Sequence, residues 1–506
     1  MRRAWIVGMV VALALALVPP AMALDFKFGG EYRVRFYSYT NAGFTDGAGT
    51  APRGAQVRVR PRFDASDDNG NITATLRLEI GDVEFGNGGG AAGGGAANGY
   101  GFGVNVAGSG SARTGAGQGG ALGNDGVNVE TKWAYIDAAF PFGVPLRVRA
   151  GIQPWYLPKG IIVDDDVAGV RFYGTSNPVS YELSWYRTSG GPNTAAPNQT
   201  VCVGAAGTAI VTPVAGVCPA GTTAASVLGA AGVVTTTSNT TDNNLDFYNG
   251  KVDFSLAKWL NLGLYGGYGR NAATGTAAGG GAVKTWLYYG LSTTGDLGFM
   301  RYDFDFVGGR NNGLTPVNGT GTVDASGYGF DAGVHFPIGP AVINVGLSMF
   351  TGDKQNGGVS ETMPFISPSW NGPGNTMFEM FGAGGVFDPV DLSQDYPGGT
   401  WTAGFNVEYR PVKALWMKVG YLYQNFTQND ANCALIAPGS GRCFGPRYGR
   451  LAQSVAQRET SLGHEINLRA DWDVWTGFKV MGTFGLWIPS AGDTSIEAAL
   501  QLLYNF

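Results

Sequence analysis

Nine arginines in the first third of the chain alternate with apolar residues, which is the feature with the clearest chemical consequence. They are Arg33, Arg35, Arg58, Arg60, Arg62, Arg77, Arg147, Arg149 and Arg171. In a β-strand successive side chains point to opposite faces, so these guanidinium groups would share one face of their strands. On neighbouring strands they would form a basic stripe. Such a stripe would favour anions or would simply order the water along it, and both interpretations stay open.

Acidic residues hold the corresponding positions of the later strands: Asp303, Asp305, Asp331, Glu408, Glu465, Asp471 and Glu497. A further acidic triplet, Asp164, Asp165 and Asp166, ends the short, partly apolar segment Pro154–Asp166. If this segment folds inward, its carboxylates would oppose the basic stripe and create a transverse field. The alternatives are a solvated acidic turn that caps the next strand and, more weakly, a calcium site.

Catalytic and cofactor sites are not indicated by the remaining reactive residues. The chain has two histidines, His335 and His464, in predicted strands without a GxSxG or HExxH motif, and Ser461 falls on the opposite face from His464. We therefore predict no enzyme activity, no metal and no cofactor, and the chain lacks a CxxCH haem motif.

Four cysteines lie in two predicted loops. Two local disulfides, Cys202–Cys218 and Cys433–Cys443, are the simplest pairing in an oxidising compartment. The competing metal-binding interpretation lacks CxxC spacing and nearby histidines.

The strands that carry these residues follow one pattern from residue 24 to the end. In the last one, Ser495–Phe506, Ile496 and Leu500 share one face while Glu497 and Gln501 share the other. About 18 such strands are predicted, with 16 as the fallback if the strand at 167–174 is absent. An even number of alternating strands predicts an all-β fold, a transmembrane antiparallel β-barrel. Because charge is costly at lipid depth, the charged face must line a water-filled interior.

The connections between predicted strands alternate in length. Eight are short, among them 67–70, 141–145 and 293–296, and are expected to be periplasmic turns. The longer segments 86–126, 188–243, 351–398 and 426–459 are expected to be extracellular loops; the first is rich in glycine and alanine. Aromatic residues near strand ends, including Trp155, Trp185, Trp401 and Trp472, predict girdles at the membrane interfaces.

The amino terminus predicts export. Arg2 and Arg3 precede an apolar stretch, and Ala21-Met22-Ala23 offers a cleavage site, so residues 1–23 are predicted to be a signal peptide and 24–506 a single barrel. Without the leader, the 33 basic residues fall to 31 against 38 acidic ones, a net charge of −7. Nucleic acid is therefore not an expected partner.

Four stretches resemble the homotrimeric outer-membrane porins of Gram-negative, sulfate-reducing-type bacteria. They read RVRPRFDASDDNGNITATLRLEIGDVEFG, NDGVNVETKWAYIDAAFPFGVPLRVRAGIQPWYLP, DDDVAGVRF and the terminal LQLLYNF. The resemblance is clear over residues 55–190. It implies a trimeric, water-filled diffusion channel for ions and small hydrophilic solutes, with Pro154–Asp166 as the pore loop. The carboxyl-terminal aromatic, Phe506, resembles the signal read by the barrel-assembly machinery.

These observations lead to an expected function and two alternatives. The expected function is a passive porin in the bacterial outer membrane, surrounded by lipid, with a charged constriction. The first alternative is a barrel that sheathes a separate periplasmic cytochrome in an electron conduit. The second is a substrate-specific outer-membrane channel.

Overall fold

The computed structural model describes the chain in fourteen segments. They are residues 24–40, 53–85, 129–189, 200–204, 210–211, 222–223, 234–235, 245–271, 285–314, 323–351, 359–360, 400–426, 461–489 and 494–506. The predicted signal peptide 1–23 lies outside these residues and stays a prediction. The described part of the chain contains no helix long and apolar enough to span a membrane.

Eighteen strands form one closed antiparallel barrel. The first nine are β1 (Leu24–Thr40), β2 (Arg53–Asp67), β3 (Ile72–Glu84), β4 (Val129–Ala139), β5 (Arg147–Tyr156), β6 (Asp164–Ser176), β7 (Val179–Ser189), β8 (Leu245–Ala257) and β9 (Leu260–Asn271). The others are β10 (Thr285–Asp296), β11 (Arg301–Leu314), β12 (Val323–Ile338), β13 (Ala341–Phe350), β14 (Thr400–Val412), β15 (Leu415–Phe426), β16 (Ser461–Trp475), β17 (Phe478–Pro489) and β18 (Ser495–Asn505). The predicted number of 18 is confirmed, and β6 includes the segment on which the fallback of 16 depended.

The first and last strands close the barrel. Val34 of β1 pairs with Leu502 of β18, and the amide of Gly30 donates a hydrogen bond of 2.8 Å to the carbonyl oxygen of Phe506. A Cβ atom on Gly30 would lie 2.6 Å from the carbonyl oxygen of Arg60, so only glycine fits at this crossing. Because each strand has two hydrogen-bonded neighbours, the barrel has no free edge.

The two faces of the wall have opposite character. On β18, Ile496 and Leu500 are 37% and 45% exposed on the outer face, whereas Glu497 is 1% exposed on the inner face. The same alternation holds on β1, where Phe26 and Phe28 point outward. An apolar outer face and a polar inner face are what a membrane-spanning barrel requires, and the predicted alternation is confirmed.

One end of the barrel carries eight short turns, as predicted. They lie at 68–71, 140–146, 177–178, 258–259, 297–300, 339–340, 413–414 and 476–477. The turn predicted at 293–296 is wrong by four residues, because Asp296 still pairs with Arg301. Gly70 and Gly477 have positive φ angles of 66° and 80°, which explains the glycines in these turns.

The nine connections at the other end fall largely outside the described residues. Within the predicted loop 188–243, the short strands at 200–204, 210–211, 222–223 and 234–235 pair with one another. The backbone of Cys202 pairs with Val211. Cys218, Cys433 and Cys443 lie outside the described residues, so the disulfide pairing stays a prediction.

Candidate functional site

The hairpin β5–β6 turns into the barrel interior at its end. The segment predicted as the loop Pro154–Asp166 is mostly strand, because Pro154 pairs with Asp166 and Tyr156 with Asp164. Only residues 157–163, called the tip below, connect the two strands. Leu157 and Gly160 close the tip through a backbone hydrogen bond of 2.9 Å. Its two ends also bond, since the amide of Leu157 donates to the carbonyl of Val163 at 3.1 Å.

The tip is anchored by apolar contacts on the inner wall. Ile161, Ile162 and Val163 are fully buried and belong to one cluster with side chains from β5 to β13. Those partners are Trp155, Leu157, Val167, Tyr186, Phe247, Tyr265, Tyr288, Val307 and Phe350. Each buried isoleucine of this kind contributes about 1.5–3 kcal/mol. Trp155 was predicted for an interface girdle and instead lies inside, 2% exposed, because the hairpin carries it inward.

Inner-face glycines make room for these aromatic rings. Gly267 is the cross-strand partner of Tyr288, and Gly290 is the partner of Tyr265. A Cβ atom on Gly290 would lie 2.2 Å from the ring of Tyr265, so the ring occupies the space that a side chain would need. Aromatic rings that cover cross-strand glycines stabilise a curved sheet. Here they also give the tip a flat apolar surface on which to pack.

The ammonium group of Lys159 projects from the tip to the opposite part of the wall. It lies 3.0 Å from Asp305 and also forms hydrogen bonds with Asp303 and Asp331; these three residues are called the aspartate cluster below. Strands β7 to β10 stand between β6 and β11, so the contact joins separate parts of the inner wall. Lys159 has φ 55°, a left-handed conformation that is uncommon outside glycine.

Burial and charge act against each other at Lys159. Burial alone would lower the pKa of its ammonium group, and the three carboxylates outweigh that effect and raise the pKa above that of an ordinary lysine. The side chains of Asp305 and Asp331 are 1% and 0% exposed. Buried charges persist only when paired, so Lys159 and the aspartate cluster depend on each other.

The aspartate cluster has the spacing of a cation site. Its oxygen atoms lie within 4.8 Å of one another, and the cation beside them is the ammonium of Lys159. His335 extends the group, because its Nε2 contacts Asp303 and its Nδ1 lies 2.7 Å from Asn344 Oδ1. His335 therefore faces the lumen.

The arginines are brought together by the strand register. In the strand register Arg33 on β1 lies opposite Arg58 on β2, and Arg62 on β2 lies opposite Arg77 on β3. On the other side of β4, Arg149 pairs with Arg171. The nine residues thus share the inner face of β1, β2, β3, β5 and β6, and a basic stripe along a pore stays a prediction. Arg33 and Arg35 are 7% and 6% exposed.

Carboxylates on the same face hold most of these guanidinium groups in place. The ion pairs are Arg58–Glu31, Arg60–Glu79, Arg62–Asp64, Arg147–Asp137, Arg149–Asp137 and Arg171–Glu182. The Arg147 and Arg149 contacts to Asp137 are 2.6 and 2.8 Å long. The sequence analysis did not predict these ion pairs. Glu31, Asp64 and Glu79 alternate with apolar residues in the same way as the arginines, and this shared strand face was the available signal.

Aromatic rings lie against several of the guanidinium groups. Arg77 lies 4.5 Å from the ring centre of Trp133, and Arg62 lies 5.5 Å from the same ring. Arg171 lies 4.7 Å from the ring of Tyr173. Cation–π contacts of this kind attract the guanidinium groups to the ring faces and help to hold the side chains in position.

The acidic triplet is divided between two environments. Asp166 accepts a hydrogen bond of 2.7 Å from Trp133 Nε1 and lies 3.3 Å from Lys132. Because the ring of Trp133 also contacts Arg62 and Arg77, Asp166 lies close to the arginines. Asp164 and Asp165 are exposed at the start of β6. A field set up by the triplet stays a prediction.

Other predicted acidic residues also lie on the inner face. Glu408 accepts hydrogen bonds from Asn344 and Trp416, and Asp471 pairs with Arg469 at 2.8 Å. Glu465 and Glu497 are 0% and 1% exposed. The inner wall therefore carries most of its arginines early in the chain and many aspartates and glutamates late, while carboxylates accompany the early arginines and Arg469 accompanies Asp471.

The residue that sequence reasoning missed is Lys159. Its signal was a single cation inside a short apolar segment, PWYLPKGIIVDDD, while the acidic partners lay more than 140 positions away in the sequence. His464 lies on the outer face, where it contacts Tyr421 and Tyr423.

Comparison with known proteins gives only distant similarities. No family model matches the chain, and no curated protein matches it. The chain is similar to the crystal structure of Pseudomonas aeruginosa OccK3 (OpdO), with 12% identity, a TM-score of 0.46, and coverage of 95% of this chain and 96% of that chain. It is also similar to Pseudomonas aeruginosa OpdK with vanillate, with 11% identity, a TM-score of 0.49, and coverage of 95% and 98%. At this level the function must be argued from the chain's own residues.

Proposed function

We propose that the chain is a channel of the bacterial outer membrane through which ions and small hydrophilic solutes diffuse. The observation that carries the proposal is the closed barrel with an apolar outer face and a charged inner face. Closed barrels with an even number of strands and short turns at one end are typical of outer-membrane proteins. Charged side chains on the inner wall require water, and a water-filled lumen conducts.

The tip of the β5–β6 hairpin supports a charged constriction. It lies inside the barrel, packs on one part of the wall and joins Lys159 to the aspartate cluster. The arginines of β1 to β3 and the aspartate cluster of β11 and β12 belong to different sectors of the wall. Solutes that pass the tip would move along the arginines of β1 to β3, whose charge sets ion selectivity, whereas the aspartate cluster is buried and held by Lys159.

The inward tip also bears on the alternative functions. A cytochrome inside the barrel would need the space that the tip occupies, so the tip supports a small-solute channel over a cytochrome sheath. A substrate-specific channel is compatible with the same constriction. Homotrimeric assembly and recognition of Phe506 by the assembly machinery, which the sequence suggests, are parts of this proposal, and cross-linking in membranes tests the trimer.

The test is conductance in planar lipid bilayers. Purified, refolded protein is expected to insert in uniform current steps that vary linearly with voltage, and the preparation is expected to lack haem absorbance. A folded barrel that inserts without conducting would contradict the proposed function. Haem that co-purifies with the barrel would instead support the cytochrome sheath.

A further inference from the structure

A β-bulge in β4 brings two consecutive side chains to the inner face of the barrel. The register of β3 with β4 shifts directly after the pair Arg77–Trp133, and Lys132 is the extra residue at that point. Bulges re-aim side chains in this way. Lys132 lies 3.3 Å from Asp166, and Trp133 Nε1 donates its hydrogen bond of 2.7 Å to the same carboxylate. Both side chains are therefore tied to the base of the β5–β6 hairpin.

Arg77 is held by the ring of Trp133. The two residues lie opposite each other, and the guanidinium carbon is 4.5 Å from the centre of the ring. Among the described residues no carboxylate forms an ion pair with Arg77, whereas most other arginines of the stripe have such a partner. Glu79, two positions along the same face of β3, forms ion pairs with Arg60 and Lys132 instead.

The spacing of Arg77 and Glu79 makes this absence informative. Arginine and carboxylate two positions apart on one strand share a face, and elsewhere on the inner wall they form close ion pairs. Two such pairs have contacts of 2.7 and 2.8 Å, Arg62–Asp64 and Arg469–Asp471. Arg77 and Glu79 have the same spacing and do not pair. The bulge explains the difference, because it supplies Lys132 to the carboxylate and the indole ring to the guanidinium.

We propose that Trp133 is a positioning residue for ion selectivity, which holds the guanidinium of Arg77 away from Glu79 and leaves its charge open to the lumen. The proposal rests on the proposed function, because selectivity requires a lumen that conducts. A guanidinium paired with a carboxylate contributes little local potential. One that rests on a ring keeps its positive potential, which favours anions beside it. Arg77 is partly exposed, so ions in the lumen can approach it.

Reversal potentials in a KCl gradient, measured on channels in planar bilayers, test the proposal. Trp133→Leu changes no charge, and we expect a shift toward cation selectivity because Arg77 loses the ring and pairs with Glu79. The shift should be smaller than that of Arg77→Gln, which removes the charge altogether. In the Arg77→Gln background, Trp133→Leu should add no further shift, because the group that it positions is gone.

Arg77→Lys is a second test that leaves Trp133 intact. Lysine keeps the charge but lacks the planar group that stacks on a ring, so a shift in the same direction as that of Trp133→Leu is expected. Trp472→Leu is the matched control, because Trp472 is 54% exposed on the outer face, and it should keep the wild-type reversal potential. Unchanged heat-modified migration in gels shows that each variant is folded.

A folded Trp133→Leu channel with the wild-type reversal potential would overturn the proposal. So would a shift of undiminished size in the Arg77→Gln background, because Trp133 would then act through another group. If Trp133→Leu does not fold, an unchanged reversal potential in Arg77→Lys overturns the proposal in its place. The two proposals fail separately. A folded wild-type barrel that does not conduct contradicts the channel, whereas a conducting Trp133→Leu variant without a shift contradicts only the role of Trp133.

Discussion

Lys159→Met is expected to destabilise the barrel strongly, because it removes the only cation that the tip offers to the aspartate cluster. Methionine keeps the length and the apolar stem of the side chain, so the packing of the tip changes little. Asp305 and Asp331 are 1% and 0% exposed, and removal of one partner from a buried ion pair costs about 3–5 kcal/mol. We expect a loss of about 3 kcal/mol, or roughly a hundredfold in the folding equilibrium.

Urea unfolding in lipid vesicles, followed by tryptophan fluorescence, measures this difference. Lys258→Met is the matched control, because Lys258 pairs with Asp296 at 3.3 Å while its side chain is 78% exposed. Water screens that pair, so no measurable change is expected. Adding Asp331→Asn to Lys159→Met should restore part of the stability, since one unpaired carboxylate disappears. The reasoning is refuted if Lys159→Met is no less stable than the control.

Three further predictions concern pH, the tip and the closing strands. Because the fold raises the pKa of Lys159, the stabilisation by its ammonium group is complete below the ordinary lysine pKa of about 10.4 and is lost only above it. The difference in unfolding free energy between the wild type and Lys159→Met should therefore stay constant from about pH 7.5 to 9.5. A steady decline of that difference over this range in urea titrations would contradict the prediction. Gly290→Ala places a Cβ atom 2.2 Å from the tyrosine ring opposite and should cost about 1–3 kcal/mol in urea unfolding, whereas Gly482→Ala, with no atom within 4 Å, should be tolerated. Gly30→Val should prevent the closing contact with Phe506, so the protein should lose its heat-modified migration in gels; a normally folded variant would show that the glycine is not required.

The sequence predicted the barrel well because each strand carries its own evidence. Alternation along Ser495–Phe506 predicted which face each residue occupies, and the pairing of β18 with β1 places the outward residues of the two strands opposite one another, as with Val34 and Leu502. Short turns were located by their Gly, Pro and Asp residues, as at Gly70. The turn at 297–300 was misplaced because the strand ends at Asp296 in residues that also favour turns.

The site was predicted less completely because it depends on contacts between distant segments. The parity of the strands placed Arg58 and Asp305 on the inner wall, but parity does not show which side chains meet. Whether a hairpin bends inward depends on the side chains that the opposite wall presents to it. The contact between Lys159, in the tip of the β5–β6 hairpin, and Asp331, on β12, joins residues 172 positions apart in the sequence. The spacing of residues in the sequence does not show which distant side chains lie close together in the fold.

Reversal potential in a salt gradient tests the proposal that ions pass along the basic stripe. The comparison is between wild-type protein and the triple variant Arg58→Gln, Arg60→Gln and Arg62→Gln, each channel held in a planar bilayer. Removal of three positive charges from the lumen wall should shift the potential toward cation selectivity. Arg270→Gln, on the outer face, should leave it unchanged. A triple variant that conducts with the wild-type reversal potential would contradict the claim.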